Sequence, residues 1–437
     1  MSGDVPRSLR SRPAGPLRGT VRPIGDKSLT HRGLILASLA RGRSTIREAN
    51  PGEDCRATAA ALGALGARVA ETASGWEIDG TGGRLRDPEG PLDLGNSGTG
   101  IRLLTGLVAG AGIAATLTGD DSLRKRPMGR IAEPLRSMGA SIALREERTP
   151  PIVVRAAGRL RPLSFQLPIA SAQVKSAILL AGLGAEAGEI LVEEPGPSRD
   201  HTERMLAWRG VGVAREDLRV RMRTPAPPLA AFDFEVPGDP SAAAFYAVAA
   251  SLVPGSDVLL EGVGLNPTRT GALEALASMG AAIEAEPREG AGPEPIGTIR
   301  IRAAKLRGTV IAGPLLVRAI DEVPVLAVAA AAADGETWFR DAGELRVKES
   351  DRIESTAQLV RSLGVEVETG PDWIRIVGRP DWTGGTVDAQ GDHRIAMSAL
   401  VAGCRAAEGV RVDDVRPVET SDPRFLATIA SLGADLS

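Results

Sequence analysis

The stretch Ser137-Met138-Gly139-Ala140-Ser141-Ile142 has the pattern of a helix that ends at a glycine and is followed at once by a β-strand. Glycine is common just after a helix because it adopts the left-handed backbone conformation without a steric penalty. The same pattern recurs about every 70 residues, which is typical of a chain built from repeated structural units. The other copies are centred on Gly66, Gly210, Gly280, Gly364 and Gly433.

Around each of these glycines the elements are predicted in one order. A strand leads into a first helix, a second strand leads into a second helix that ends at the glycine, and two more strands follow. The first helices are predicted to begin near Lys27, Asn96, Ser171, Asp239, Asp321 and Asp392. The second helices are predicted to begin near Glu53, Lys125, Arg199, Thr268, Lys348 and Thr420. The chain is therefore predicted to be an α/β protein of repeated βαβαββ units.

The two ends of the chain predict how the repeats divide into lobes. The sixth copy stops at Ser437, before its closing strands, whereas a strand at Leu17–Pro23 precedes the first copy. We therefore predict that the N-terminal strand completes the C-terminal half, and that Met1–Pro16 is a frayed tail. One lobe would then contain residues 1–26 and 237–437, and the other residues 27–236, with three repeats each.

The composition excludes several classes of function. The chain has 437 residues, 43% of them hydrophobic, and a net charge of −3, so nothing favours nucleic acid or an anionic membrane as a partner. The longest apolar run, Val323–Ala333, is too short to span a bilayer. Cys55 and Cys404 lack metal-ligand or disulfide spacing, which favours a reducing compartment and no metal.

The glycine-rich segment Leu94–Arg102 opens the first helix of the second repeat. Its small residues allow a ligand to approach the backbone, and the free N–H groups of a helix N-terminus favour an anion. The segment has no Gly-Lys-Ser/Thr ending, so it is not a P-loop. A turn that merely caps a helix is the alternative interpretation.

Cations and hydroxyls recur at the other helix starts. Each set has an ordinary explanation, such as helix capping by Ser28, an N-cap role for the acids, or a solvated face with ion pairs at Lys348–Arg352. If the helix N-termini of both lobes face one cleft, these groups would bind anions there. The carboxylates of Asp321 and Glu349 would repel such ligands, but a catalyst that moves protons needs them. The pattern therefore favours an enzyme over a simple anion-binding protein.

Several motifs, taken in order along about residues 15–437, resemble the 5-enolpyruvylshikimate-3-phosphate (EPSP) synthases, which are enolpyruvyl transferases. The motifs are Asp26-Lys27-Ser28, Leu94-Gly95-Asn96-Ser97-Gly98-Thr99, Arg126-Pro127-Met128-Gly129, Ser171-Ala172-Gln173, Arg199-Asp200-His201-Thr202-Glu203, Pro237-Gly238-Asp239-Pro240-Ser241, Ile320-Asp321-Glu322, Arg346-Val347-Lys348-Glu349-Ser350-Asp351-Arg352 and Asp392-His393-Arg394-Ile395-Ala396-Met397. The resemblance implies a two-lobed inside-out α/β barrel with its active site in the interdomain cleft.

The resemblance also implies an activity. An enzyme of this family transfers the enolpyruvyl group of phosphoenolpyruvate to the 5-hydroxyl of shikimate 3-phosphate and releases phosphate, by addition and elimination through a tetrahedral intermediate. This is a step of the shikimate route to chorismate and the aromatic amino acids, and a target of glyphosate. The resemblance implies a cytoplasmic monomer that needs no cofactor or metal and has no nucleic-acid or membrane partner.

The roles that the resemblance implies fall into three sets. Shikimate 3-phosphate would be bound by Lys27, Ser28, Arg32, Ser171, Ala172, Gln173, Arg199, Asp321 and Lys348. Phosphoenolpyruvate would be bound by Lys27, Asn96, Gly98, Arg126, Gln173, Arg352 and Arg394. The catalytic residues would be Asp321, Glu349 and Lys27.

Two departures and two alternatives accompany this resemblance. Many relatives have a second Ser where Ala172 stands, and a Lys near Thr420 that would contact phosphoenolpyruvate. The sister transferase that acts on a UDP-sugar has a Cys in the loop before its Arg-Pro, whereas residues 119–127 contain none. A catalytically silent anion-binding protein is the remaining alternative.

Overall fold

The computed structural model describes residues 6–288, 290 and 292–437. The described residues divide into two compact units. Unit 1 takes them from the ranges Met1–Ile24, Pro237–Gly290 and Pro295–Ser437, and unit 2 takes them from Gly25–Val236 and Ala291–Glu294.

The strands are short, and most have two to eight residues. In chain order they are β1 Leu9–Arg12, β2 Arg18–Val21, β3 Arg41–Arg47, β4 Arg68–Thr72, β5 Gly75–Thr81, β6 Leu92–Asp93, β7 Ala115–Thr118, β8 Ser141–Arg145, β9 Thr149–Arg155, β10 Ser164–Gln166, β11 Gly188–Glu193, β12 Val213–Glu216, β13 Arg219–Thr224, β14 Asp233–Glu235, β15 Asp257–Gly264, β16 Ala282–Arg288, β17 Ile296–Arg302, β18 Val310–Ile311, β19 Glu336–Phe339, β20 Glu366–Thr369, β21 Ile374–Val377, β22 Gly385–Val387, β23 Val410–Val412 and β24 Asp435–Leu436.

The α-helices alternate with these strands. In chain order they are α1 Lys27–Leu39, α2 Glu53–Ala64, α3 Gly98–Ala111, α4 Gly129–Ser137, α5 Ala172–Gly182, α6 His201–Trp208, α7 Pro240–Leu252, α8 Gly271–Ser278, α9 Gly313–Ala319, α10 Val323–Ala331, α11 Arg352–Ser362, α12 His393–Gly403 and α13 Phe425–Ser431. Short 3₁₀ helices occupy Leu123–Lys125, Ile320–Glu322, Gly343–Val347 and Arg416–Thr420. Across the residues that the structure describes, no helix combines the length and the apolar composition that crossing a bilayer requires.

Within the described part of the chain there are six sheets, each with four strands in the same arrangement, which confirms the predicted βαβαββ repeat. In the second repeat, for example, β6 pairs in parallel with β7, β7 pairs antiparallel with β9, and β9 pairs antiparallel with β8. The last strand of each repeat therefore lies in the interior of its sheet, and the third strand lies at the edge.

Two of the sheets gain their first strand from a distant part of the chain. β2 leads directly into α1 of unit 2, yet it pairs in parallel with β15 in a sheet of unit 1. β14 leads into α7 of unit 1, yet it pairs in parallel with β3 in a sheet of unit 2. At both points where the chain passes from one unit to the other, the strand before the crossing therefore pairs in the unit that the chain leaves, and the helix after it belongs to the unit that the chain enters.

The strand that completes the sixth repeat is β1, and the prediction that Met1–Pro16 is a frayed tail is wrong for β1. β1 pairs antiparallel with both β23 and β24, whereas the predicted strand at Leu17–Pro23 contains β2 of the fourth repeat. The sequence of β1 has little apolar character because its buried position is Ser11, which packs against Gly403 and Gly409. The first five residues of that predicted tail lie outside the described residues.

The first helix of a repeat is the more deeply buried one. Every residue of α7, α10 and α12 is buried in unit 1, and these three helices contact one another. A helix that is apolar on all sides must be surrounded by other elements. In unit 2 the corresponding helices α3 and α5 approach closely, since a Cβ added to Gly106 would lie 2.2 Å from the carbonyl oxygen of Ala177. Helices inside and sheets outside are what defines the inside-out α/β fold.

Candidate active site

The start of α1 presents the first group of predicted site residues. Asp26 caps this helix, because its Oδ1 accepts a hydrogen bond from the amide of Leu29 at 2.8 Å. The alternative in which Ser28 is the cap is therefore wrong, and Ser28 lies in the first turn. The ammonium of Lys27 donates to Oδ2 of Asp54 at 2.9 Å, at the start of α2.

Arg32 links three helices of unit 2. Its guanidinium donates to Thr202 of α6 and Ser176 of α5, both at 2.7 Å, and to the carbonyl of Ser28 at 2.9 Å. Burial, opposed in part by the negative charges of Glu203 and Asp26, lowers the pKa of Arg32 to about 10, so the group stays charged near neutral pH. Arg32 therefore holds a fixed positive charge between the starts of α5 and α6.

The start of α3 brings together a second group. The hydroxyl of Ser97 caps the helix by accepting from the amide of Gly100 at 3.0 Å. Arg126 donates to the side-chain oxygen of Asn96. A Cβ added to Gly98 would lie 2.7 Å from Nη1 of Arg126 and 2.9 Å from Nη1 of Arg102. The absence of a side chain at Gly98 is therefore what leaves room for both guanidinium groups.

The start of α5 connects to the same region. Ser171 caps the helix, with its hydroxyl 3.5 Å from the amide of Val174. Gln173 is oriented at both ends of its amide, because Arg102 donates to its oxygen at 3.0 Å and its nitrogen donates to Thr99 at 2.9 Å. Ala172, the first residue of α5, has only backbone groups available for hydrogen bonding.

Unit 1 brings together acids and cations that are far apart in the sequence. The ammonium of Lys348 lies 3.1 Å from Oδ1 of Asp321, and Nη1 of Arg352 lies 3.5 Å from the same atom. Nη2 of Arg352 lies 2.7 Å from Glu349, and Arg394 donates to the carbonyl of Asp321 at 2.8 Å. The five residues predicted in this unit therefore form one cluster.

Arg352 is the most buried member of this cluster, with only 1% of its side chain exposed. Its Nε and Nη2 donate to Asp392, at 2.7 and 3.1 Å. Burial alone would lower the pKa of Arg352, but the charges of Asp392, Glu349 and Asp321 raise it above its usual value. Burial would likewise raise the pKa of Asp392, but Arg352 lowers it below its usual value. The guanidinium is thus permanently charged, and Nη1 is the nitrogen whose carboxylate neighbour, Asp321, lies farthest away.

Arg394 donates hydrogen bonds to the protein from only one nitrogen of its guanidinium among the described contacts. Both of its side-chain contacts, to the carbonyl of Asp321 and to Glu322, come from Nη1. Among the residues that the structure describes, Nε and Nη2 have no protein partner, so that edge of the guanidinium is left for a ligand. Two parallel N–H groups at this edge match the geometry of a carboxylate or phosphate.

Some contacting residues were not in the predicted set. They are Asp54, Arg102, Ser176, Thr202 and Glu322, each of which holds a predicted residue in place. Ser176 lies in the interior of α5, where a small hydroxyl residue carries no sequence signal of its own. The others occur at or near a predicted helix start, and Thr202 and Glu322 also lie within the motifs that carry the family resemblance.

Thr420 and Cys404 lie in unit 1, whereas Cys55 lies in unit 2. Thr420 ends a 3₁₀ helix and donates to the carbonyl of Pro417 at 2.7 Å. Cys55, in α2, and Cys404, which follows α12, are both buried, and neither lies in the loop before Arg126-Pro127. Within the described ranges, no group of three or more His, Cys, Asp or Glu side chains has a metal-binding arrangement.

Comparison with known proteins covers nearly the whole chain. The profile of the EPSP synthase family (3-phosphoshikimate 1-carboxyvinyltransferase) matches residues 11–429. The 3-phosphoshikimate 1-carboxyvinyltransferase of Alkalilimnicola ehrlichii is 48% identical over 428 residues, which are 98% of this chain and 96% of that protein. The enzyme of the same name from Thermus thermophilus is 50% identical over 432 residues, which are 98% of this chain and 99% of that one.

A solved structure agrees with these matches. The EPSP synthase of Acinetobacter baumannii superposes with a TM-score of 0.87 at 40% identity, over 99% of this chain and 100% of that one. The fold and the relatives together define a transferase of the inside-out α/β class. Within that class, the chain belongs to the EPSP synthase family. The resemblance stated from the sequence motifs is thereby confirmed.

Proposed function

We propose that this chain transfers the enolpyruvyl group of phosphoenolpyruvate to the 5-hydroxyl of shikimate 3-phosphate and releases phosphate, the reaction that gives the family its name. The observation that carries the proposal is the cluster in unit 1. Asp321 and Glu349 share Arg352, the ammonium of Lys348 lies beside Asp321, and Nη1 of Arg394 donates to the carbonyl of Asp321. Acids among anion-binding cations suit a reaction that moves protons between anionic substrates.

The reaction has two proton-coupled halves. In the addition, Asp321 accepts the 5-hydroxyl proton as that oxygen bonds to C2 of phosphoenolpyruvate, and Glu349 delivers a proton to the methylene carbon. In the elimination, Glu349 removes a proton from the resulting methyl group, the double bond forms again, the bond from C2 to the phosphate oxygen breaks, and phosphate leaves with the proton that Asp321 had accepted. Lys348 stabilises the deprotonated 5-oxygen, while Lys27 and Arg394 offset the charge on the departing phosphate.

The binding roles follow the contacts within each unit. For shikimate 3-phosphate we propose Lys27, Ser28, Arg32, Ser171, Ala172, Gln173, Arg199, Asp321 and Lys348. For phosphoenolpyruvate we propose Lys27, Asn96, Gly98, Arg126, Gln173, Arg352 and Arg394. The fixed charge of Arg32 and the two-sided orientation of Gln173 support these roles, because preorganised donors lose little entropy when they bind.

A phosphate-release assay tests the proposed function. We expect release when phosphoenolpyruvate is supplied with shikimate 3-phosphate, and none when a UDP-N-acetylhexosamine replaces that substrate. Release only with the UDP-sugar would identify the sister transferase. Binding of both substrates without release would identify an anion-binding protein.

Replacing Asp321 tests its role as the base. Asp321→Asn keeps the size of the side chain and removes its basicity, so we expect substrate binding to persist while kcat falls at least ~100-fold. Calorimetry and phosphate release measure the two quantities. Asp334→Asn, at an exposed position of the same unit, serves as the control. Turnover close to that of the wild type would contradict the assignment of Asp321 as the base.

We further propose that the enzyme acts as a cytoplasmic monomer and needs no cofactor. Two buried cysteines that form no disulfide within the described part of the chain are compatible with a reducing compartment. Light scattering of the purified chain, with and without both substrates, measures its mass directly. A dimer mass in either condition would contradict the monomer.

A further inference from the structure

The carboxylate of Glu322 is almost completely buried, with 2% of the residue exposed. Glu322 precedes α10, but its side chain does not cap that helix. Its Oε1 instead accepts hydrogen bonds from the hydroxyl of Ser241 and from Nη1 of Arg394, the latter at 3.2 Å. A buried carboxylate is stable only when such partners satisfy it.

Ser241 is itself held in one orientation at the start of α7. Nη2 of Arg269 donates to the hydroxyl oxygen of Ser241 at 2.8 Å and to Oδ1 of Asp239 at 2.7 Å. Asp239 also accepts from the amide of Ser241 at 2.8 Å. Because Arg269 can only donate, the hydroxyl proton of Ser241 is directed to Glu322. The chain of hydrogen bonds therefore runs in one direction, from Arg269 through Ser241 to Glu322.

Arg394 is where this chain of hydrogen bonds meets the candidate active site. Glu322 and the carbonyl of Asp321 both accept from Nη1, which fixes the rotation of the guanidinium. The opposite edge, Nε and Nη2, keeps its donors for a ligand. A long side chain that is ordered before binding loses less entropy when the ligand arrives.

We infer that Glu322, oriented by Arg269, Asp239 and Ser241, is a positioning residue that aligns Arg394 for the anionic groups of phosphoenolpyruvate. The inference rests on the proposed function of Arg394 and adds a set of residues that do not touch the substrate. Four segments of the chain contribute to it, at the starts of α7, α8, α10 and α12. The Pro237–Ser241 motif, which contains no predicted substrate contact, thereby gains a role through Ser241 and Asp239.

A double-mutant cycle between Glu322 and Arg394 tests the inference. The variants are Glu322→Gln, Arg394→Ala and the pair, each assayed for phosphate release with either substrate varied. In the wild-type background we expect Glu322→Gln to raise KM for phosphoenolpyruvate ~10-fold and to change KM for shikimate 3-phosphate less than ~2-fold. In the Arg394→Ala background we expect the same substitution to change either constant less than ~2-fold, because it acts only through Arg394.

Two further variants separate positioning from loss of folding. Ser241→Ala removes one hydroxyl and should raise KM for phosphoenolpyruvate ~3-fold, with a lower melting temperature but a chain that is still folded at the assay temperature. Glu354→Gln is the matched control, since its carboxylate pairs with Arg361 on the surface of the same unit. Equal effects of Glu322→Gln in both Arg394 backgrounds would overturn the inference, as would an equal rise in both KM values.

Calorimetric titration of phosphoenolpyruvate repeats the same cycle without turnover. Were the wild type inactive in phosphate release, the proposed reaction would fail, but the coupling between Glu322 and Arg394 in binding would still decide the positioning role. Failure of the wild type to bind phosphoenolpyruvate, with shikimate 3-phosphate present or absent, would overturn the inference.

Discussion

His31 is a titratable residue that the fold keeps uncharged inside α1. Its Nδ1 lies 2.8 Å from the hydroxyl of Thr58, and Nε2 is buried without a partner among the described residues. Burial, aided by the charges of Lys27 and Arg32, lowers the pKa of His31 to about 3. The helix that begins with Lys27 thus carries its positive charge at fixed cations and not at this histidine.

Stability should fall in acid because the unfolded chain protonates His31 and the folded chain does not. The unfolded pKa is the ordinary 6.5, so stability is lost as the pH decreases from about 6.5 toward the folded value of about 3. When the pH decreases from ~7 to ~5, we expect the free energy of unfolding of His31→Gln to fall by about 2 kcal/mol less than that of the wild type. Urea unfolding at both pH values measures this difference, and parallel losses would contradict the low pKa.

Gly98 is the residue where one methyl group should alter ligand binding without altering stability. An added Cβ would approach Nη1 of both Arg126 and Arg102 at less than 3 Å, and both are the ends of flexible side chains. We expect Gly98→Ala to displace the two guanidinium groups and to raise KM for phosphoenolpyruvate ~10-fold. We also expect the wild type to be inhibited by glyphosate and the variant to be inhibited far less.

Gly63→Ala provides the control for Gly98→Ala. Gly63 lies within α2, and a Cβ there would meet nothing within 4 Å. Steady-state kinetics and thermal unfolding should therefore show unchanged constants and slightly higher stability for that variant. A wild type that is insensitive to glyphosate would show that the space at Gly98 is not what admits the inhibitor.

At the scale of elements, the glycine that ends each second helix adopts the predicted backbone conformation. All six have positive φ, from +77° at Gly364 to +113° at Gly66. In each copy the amide of the glycine and the amide of the next residue donate hydrogen bonds to carbonyls in the last turn of the helix. Gly139, for example, donates to Arg136, and Ala140 donates to Leu135. This is the Schellman motif, and it directs the chain from the helix into the next strand.

Gly139→Ala tests the energetic weight of this motif. A Cβ at Gly139 would meet no atom within 4 Å, so any cost comes from the backbone at φ +102°. We expect a loss of ~1–2 kcal/mol in the free energy of unfolding. Gly158 is the matched control position. It is exposed in the same unit, an added Cβ would also meet no atom within 4 Å, and its φ is not positive. Urea unfolding of Gly158→Ala should show no loss, and equal losses would exclude the backbone explanation.

At the scale of the whole molecule, the pairing of β1 and β2 with strands of the C-terminal half makes the two units unequal as folding units. The three sheets of unit 2 use only strands β3 to β14, all within residues 25–236. The sheets of unit 1 need β1 and β2 from the N-terminus in addition to β15 to β24. β1 pairs on both of its sides, so removing it leaves β24 without a neighbour.

Fragments of the chain should therefore differ in their ability to fold. We expect residues 25–236 to fold alone with a cooperative unfolding transition. We expect residues 237–437 to fold only when residues 1–24 are fused to them, because two of three sheets are otherwise incomplete. Circular dichroism during urea unfolding distinguishes the cases. Cooperative unfolding of residues 237–437 alone would contradict the requirement for β1 and β2.

Local chemistry is what made much of this protein predictable from its sequence. A glycine that ends a helix, an Asp or Ser that caps one, and alternating apolar residues depend on neighbours within a few positions. The six repeats, the glycine conformations and the helix starts near Lys27, Gly98 and Ala172 are all of this kind. The residue types at those starts also indicated anionic ligands and proton transfer.

Only the tertiary structure decided which distant groups became partners. Lys175, near the start of α5, is fully buried between Glu194 and Glu203. Glu322 looked like a helix cap, yet it binds Ser241 and Arg394. Strand β1 looked like a tail until its pairing with β23 and β24 was seen. Burial makes each of these groups require a partner, and the choice of partner depends on packing between segments that local sequence does not encode.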